Sequence, residues 1–356
     1  MKKKIIFGIL AVLIFAIAFV AYKFYGPSVS TPSGEYFYIK TGSTYADVKR
    51  SLLDKKYISD GFWFDKAASA LRYNTVKPGR YKITKNMSVV SLVRMLRAGN
   101  QQPLSFTITK IRYKETLASR IAKQFECDST QMINFLTNND SLKTFGVDTN
   151  TVMAIAMPLT YDIVWNATPR KILQHFHTAY KDFWTEERKA KAAQQGLTPM
   201  QVSILASIMD EETNKASDRG NIASVYINRL RKGIKLDADP TVIFAKRIWG
   251  VKRLLFEDLE YPSPYNTYRN VGLPPGPICT PMVVTIEAVL DAPKTEYIFF
   301  VASHEFDGST IFTTNYDDHL KYAALYRKEL SKQIAIRKER EKQKADSIAK
   351  AQQQPK

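Results

Sequence analysis

Cysteine is nearly missing from this sequence: Cys127 and Cys279 are all there are. Two thiols so far apart make no disulfide framework, so pairing and incidental burial both stay open. Neither stands where a lipid-modified cysteine would follow a leader. Histidine is almost as scarce. His175, His177, His304 and His319 form no cluster with cysteine and have no zinc-site spacing, so no metal or other cofactor is indicated. There is no internal repeat and no nucleic-acid-binding motif.

Positive charge, by contrast, is abundant: 52 Lys and Arg against 34 Asp and Glu give +18. Its distribution matters more than its size. Lys2 to Lys4 carry +3 and Arg327 to Lys356 another +6, which leaves +9 on the body. After the three lysines comes IIFGILAVLIFAIAFVAY, long enough to cross a hydrocarbon core of about 30 Å with the lysines held inside. A cleaved signal peptide is the competing reading, because Ala16 and Ala18 form a small-residue pair. The apolar run continues without a polar break through Tyr22, which favours an uncleaved anchor over residues 1–25. An exported body of this charge meets anionic headgroups or wall polymer before it meets nucleic acid.

Residues 26–34 (GPSVSTPSG) read as a flexible linker. Residues 35–102 alternate short strands and amphipathic helices, a small α+β module whose core is expected at Val48, Leu52, Leu53, Ile58, Phe62, Phe64, Val90, Leu92 and Leu96. Beyond it come a strand at 104–109, helices at 114–125 and 129–136, and an irregular stretch at 141–152. One long helix is expected at 168–195. Residues 198–232 read as a helix pair closed by Gly233, and 234–279 as mostly loop. A helix at 285–290, a strand pair around Asp307-Gly308 and a helix from Tyr316 complete the body. The tail, 331–356, reads as a solvated helix that frays into disorder. The fold class is α+β.

The helix pair carries the sharpest chemical signal. Thr198, Pro199 and Gln201 supply an N-cap, a first-turn proline and a capping-box partner. Leu205, Ile208, Met209 and Glu212 then fall on one stripe, while Asp210 and Glu211 point elsewhere. A carboxyl group extending an apolar stripe is partly desolvated, which raises its pKa and suits it to general-acid work. Read blandly, Glu212 is one more solvated acid at a frayed helix end.

Taken in order, the strings SIMDEET, ASVYINRL, DADPTVIFA, YNTY, GLPPGPI and FTTN resemble the endolytic murein transglycosylases, the YceG-like proteins. The resemblance covers nearly all of the exported part. It implies a LysM-like module at 35–102, a catalytic domain at 103–330, and cleavage of the β-1,4 bond between MurNAc and GlcNAc inside nascent peptidoglycan, leaving 1,6-anhydroMurNAc ends. It also implies a role in terminating glycan elongation on the periplasmic or outer face of the inner membrane, beside peptidoglycan synthases. The family's catalytic glutamate, which precedes a threonine in Glu-Lys-Glu-Thr, falls on Glu212 of Asp210-Glu211-Glu212-Thr213. Near Met153 to Tyr161 the chain departs: the usual Glu-Gly-Tyr-Leu-Phe-Pro-Asp-Thr-Tyr becomes MAIAMPLTY and loses both acids.

Further residues are assigned around Glu212. Asn228, Asn266 and Asn315 are amides able to hydrogen-bond sugar groups, Tyr265 and Tyr268 could stack on a sugar face or simply anchor loops, and Asp239 either forms a turn or supports the site. Arg229 is expected to pair with Asp239 or Asp210, and the GLPPGP stretch to shape the groove wall. Two rival functions remain, a hydrolytic muramidase needing a second carboxylate such as Asp210 or Asp239, and a non-catalytic wall-binding scaffold.

Overall fold

The structure, a computed structural model, describes residues 2–213, 215–251 and 254–352. In chain order the elements are α1 (Lys2–Tyr25), β1 (Tyr36–Ile39), α2 (Tyr45–Asp54), α3 (Gly61–Ala70), β2 (Gly79–Lys82), α4 (Val89–Ala98), β3 (Leu104–Thr107), α5 (Lys114–Ala122), α6 (Ser129–Leu136) and α7 (Asn139–Leu142). There follow β4 (Thr160–Ile163), α8 (Pro169–Phe183), α9 (Glu186–Gln194), α10 (Pro199–Glu212), α11 (Ala216–Arg231), α12 (Asp239–Lys246), α13 (Phe256–Leu259), α14 (Val283–Leu290), β5 (Phe299–Ala302), β6 (Thr310–Thr313) and α15 (Tyr316–Gln352). The strands form three antiparallel pairs, β1 with β2, β3 with β4 and β5 with β6, so the class is mixed α+β. Among the described residues α1 alone is long and apolar enough to cross a membrane, a property that an anchor and an export signal share.

The chain divides into two compact units, interleaved along the sequence. The first takes residues 1–107, 117–135 and 160–175. Its core gathers Phe37, Leu52, Phe64, Tyr81, Leu92 and Leu96. Phe62 stays outside, 54% exposed, because it lies two positions from Phe64 on α3 and so on the opposite face. The stretch expected to be a flexible linker is instead strapped to this unit. The Ser28 and Val29 amides donate to the Met87 carbonyl, Ser30 donates to Tyr57, and the Val29 side chain is buried. The buried Val29 side chain and these hydrogen bonds together hold it.

The second unit takes residues 108–116, 136–159 and 176–356. Its core is centred on α10, which packs against α9, α11, α12 and α14. The single helix expected at 168–195 is two helices. Thr185 breaks it by capping α9, its hydroxyl accepting from the Arg188 amide, with Glu186 and Glu187 favourable in the first turn. The expected loop at 234–279 contains α12 and α13. Pro240 at the start of α12 is compatible with a helix because a first-turn N–H has no intrahelical partner. The tail remains helical as far as Gln352.

Candidate functional site

The site is built at the end of α10. Thr198 and Gln201 form the expected reciprocal cap, with Gln201 N to Thr198 Oγ1 at 3.2 Å and Thr198 N to Gln201 Oε1 at 2.8 Å. From Val202 to Asp210 every residue is buried, so the helix is enclosed all round and the apolar stripe is only one part of its contact surface. The polar residues inside are satisfied. Ser207 donates to the Ile204 carbonyl and accepts from the Ile278 amide.

Three adjacent acids then meet three environments. Asp210 turns inward and accepts from Met282 N at 2.7 Å and from the Thr285 hydroxyl, capping the start of α14. Glu211 takes a bidentate pair with Arg112, at 3.1 and 2.8 Å, and Lys110 stands 3.2 Å away. Glu212 faces a cavity of about 340 Å³ and accepts from the Tyr226 hydroxyl at 2.8 Å. Helical rotation of about 100° per residue separates the three.

The cavity is lined by Tyr226 and Arg229 of α11, Asp239 of α12, Tyr268 of the following loop, Phe299 and Phe300 of β5, and His319 of α15. Burial pushes the Glu212 carboxyl up to about 7, and the nearby Asp239 charge pushes the same way, while the bond from Tyr226 opposes both. Tyr268 donates to Asp239 at 2.5 Å. Arg229 lies under the cavity with its guanidinium on the carbonyls of Ile298, Lys235 and Leu236. It pairs with Asp237 at 3.0 Å, in place of the expected Asp239 or Asp210. Its planar group stands 5.0 Å from the Phe299 ring, on which His319 also stacks at 5.1 Å. Burial lowers the His319 pKa, and the Arg229 charge lowers it further.

Of the residues assigned around Glu212 in the sequence, Asp239, Tyr268 and Arg229 line this cavity with it. The others face elsewhere. Asn228 donates to the Thr295 and Tyr297 carbonyls, and Asn266 is fully buried, donating to Leu259 and Tyr261 and accepting from the Tyr268 amide. Asn266 thus shapes the loop that carries Tyr268. Tyr265 packs on Phe244, and Asn315 caps α15 by accepting from the Asp318 amide. In the GLPPGP stretch, a Cβ on Gly276 would lie 2.0 Å from the Asn150 carbonyl oxygen, so the close approach there requires glycine. Tyr226, Asp237, Phe299, Phe300 and Tyr316 were not legible as site residues. All but Asp237, which lies in the loop before α12, sit in an ordinary helix or strand pattern, and only the tertiary packing brings them to the cavity.

A half-enclosed carboxyl group that is protonated for much of the time at neutral pH, held by a phenol and set among aromatic rings, can deliver a proton to a polar, non-charged ligand. Among the described residues no group of His, Cys, Asp and Glu could hold a metal ion.

The chain was compared with known proteins. It is 29% identical to the endolytic murein transglycosylase of Bacillus subtilis over 263 residues, 70% of this chain and 72% of that one. It is 26% identical over 316 residues to the endolytic murein transglycosylase of Streptococcus pneumoniae strain D39, covering 79% of this chain but about 56% of the relative's length. A crystal structure of a YceG-like protein from Listeria monocytogenes superposes with a TM-score of 0.52 at 26% identity, over 81% of this chain and 98% of that one. The YceG-like family itself matches residues 37–324, and the chain belongs to that family.

Proposed function

We propose that this protein is an endolytic lytic transglycosylase that cuts the MurNAc–GlcNAc β-1,4 bond of nascent peptidoglycan with Glu212 as its one catalytic residue. The observation that carries this reading is the Glu212 carboxyl held near pKa 7 in an aromatic cavity. Protonated Glu212 donates to the departing GlcNAc oxygen, and an oxocarbenium-like centre develops at C1 of MurNAc. The carboxylate left behind takes the proton of the MurNAc C6 hydroxyl as that oxygen attacks C1, which closes the 1,6-anhydro ring and returns Glu212 to its acid form. The nucleophile is part of the substrate, so proximity replaces an activated water. Phe299, Phe300 and Tyr268 help exclude water, which favours the anhydro product over hydrolysis.

On the same reading α1 is an uncleaved anchor in the cytoplasmic membrane, residues 35–102 are a LysM-like wall-binding module, and residues 103–330 work on the outer or periplasmic face. Cutting nascent strands there would end their elongation beside the peptidoglycan synthases. Names given to the relatives support the substrate class.

One observation favours a second reading. Asp239 lines the same cavity and could serve as base for a water, which would make the enzyme a hydrolytic muramidase. Digesting glycan with the full-length protein and analysing the new ends by mass spectrometry separates the two: anhydro ends are expected, and reducing ends would give the reaction to water. Uncut glycan would leave only the wall-binding scaffold.

A further inference from the structure

Beyond the Glu212 cavity, the second unit holds a smaller one of about 200 Å³ whose chemistry is different. Its charged lining is Arg112, Lys114, Glu115 and Arg247, and Tyr113, Phe244 and Tyr265 form its aromatic wall. The aromatic walls pack on one another. Tyr113 stacks on Phe244 at 5.3 Å, Phe244 meets Tyr265 at 5.0 Å, and the Trp249 indole donates to the Tyr113 hydroxyl at 2.6 Å. Arg112 lies 3.8 Å from the Trp249 ring and Arg247 lies 4.3 Å from that of Tyr113, so both guanidinium groups are oriented by aromatic faces.

The charges around this cavity are matched except at one place. Arg112 has Glu211, Arg247 has Glu115, and Asp148 engages the Thr151 hydroxyl and the amides of Asn150 and Thr151. Lys114 has no carboxylate within salt-bridge distance among the described residues; its ammonium donates to the Thr149 carbonyl at 2.8 Å. Half-buried ammonium groups without an anion are unfavourable, and an incoming carboxylate would relieve that cost. Burial already depresses the Lys114 pKa, despite the opposing pull of Glu115 and Asp148.

The position of the cavity is as informative as its charge. Asp239, at the start of α12, lines the Glu212 cavity, and Arg247, just past its end, lines this one. At 1.5 Å per residue the two lie about 12 Å apart along the helix. Three or four extended peptide residues cover that distance. A glycan strand seated at Glu212 carries peptides on its lactyl groups, and those peptides bear free carboxylates.

We propose that the cavity around Lys114, Arg112 and Arg247 is a subsite for a carboxylate of the peptide branch of the glycan substrate. The inference rests on the assignment of peptidoglycan as substrate. It makes the enzyme a reader of peptide-bearing strands, with the aromatic walls packing the peptide and Lys114 holding its charge.

The test uses the full-length Glu212→Gln protein, which keeps substrate intact, and measures binding by calorimetry. The probes are a peptide-bearing muropeptide dimer, its carboxamide form, and a peptide-free glycan oligomer of the same length. Lys114→Gln in this background should weaken binding of the acid form about tenfold and leave the peptide-free oligomer unchanged. The carboxamide form should bind both proteins alike. Equal binding of the acid form by both proteins, or an equal loss for all three probes, overturns the subsite. Failure of the substrate assignment is read separately, as uncut glycan with the wild-type protein.

Discussion

The two units bury their central helices in different ways. In the first, α4 is amphipathic: Val89, Val90, Leu92, Val93 and Leu96 are buried, while Ser91, Arg94 and Arg97 face solvent. In the second, α10 is buried on every side, Ser203, Ser207 and Asp210 included. A helix enclosed all round must satisfy its polar groups internally, and the end of such a helix is a place where a carboxyl group can be held away from water. The first arrangement leaves the polar groups of its helix in water. The second sets three neighbouring acids in three environments, and in that of Glu212 burial pushes the carboxyl up to about 7.

The sharpest break in that comparison is Glu212→Gln. Losing a general acid typically costs about 10²–10⁴ in rate, so kcat for glycan cleavage should fall within that range. Melting temperature should hold or rise, because the substitution removes a carboxyl group whose ionised form burial disfavours. Activity near that of wild type would remove Glu212 from the chemistry.

Its neighbour should show the reverse pattern. Asp210→Ala leaves the Met282 amide and the Thr285 hydroxyl without their acceptor, a loss of about 1–3 kcal/mol by denaturant unfolding. The rate per folded molecule should change little. A collapse of kcat at unchanged stability would make Asp210 the acid instead. A smaller effect is expected in the first unit, where Ser88 accepts from the Ser91 amide at the start of α4. Ser88→Ala should cost about 1 kcal/mol of stability and leave glycan cleavage untouched.

The same contrast explains what could be read in the sequence. Amphipathic helices such as α2 and α4 announce themselves by period and cap, and the Thr198 cap fixed the register that puts Glu212 on the stripe with Leu205, Ile208 and Met209. The all-round burial of α10 was not legible, since Ser203, Ser207 and Asp210 look like exposed positions until the Ile278 amide and the start of α14 are packed against them. For the same reason Asn228 and Asn266 pass for ligand-binding amides in the sequence but bond backbone carbonyls in the fold. Loops need such internal partners when they are buried, and a sequence does not say which amides supply them. Tyr226 was missed altogether. It stands in a regular helix, and its hydroxyl gains meaning only from reaching Glu212.

Tyr226 also gives the finest test of how Glu212 is tuned. Glu212 must be protonated to donate, so cleavage should be fast below about pH 7 and decline as pH rises through that value. The stability linkage has the same sign. A carboxyl group whose folded pKa is raised contributes stability that is fully present below its ordinary value and is lost as pH climbs through about 7. In Glu212→Gln that part of the stability–pH curve should disappear. The Tyr226 hydroxyl hydrogen-bonds the carboxylate and holds the pKa below where burial alone would set it. Tyr226→Phe removes that bond and keeps the ring, which packs edge-on against Phe300 at 5.8 Å. The descending limb of the pH–rate profile should therefore move to higher pH, with the plateau at low pH nearly preserved. A limb that stays in place would mean that Tyr226 does not set the Glu212 pKa, and one that moves to lower pH would mean that the phenol stabilises the protonated acid rather than its anion.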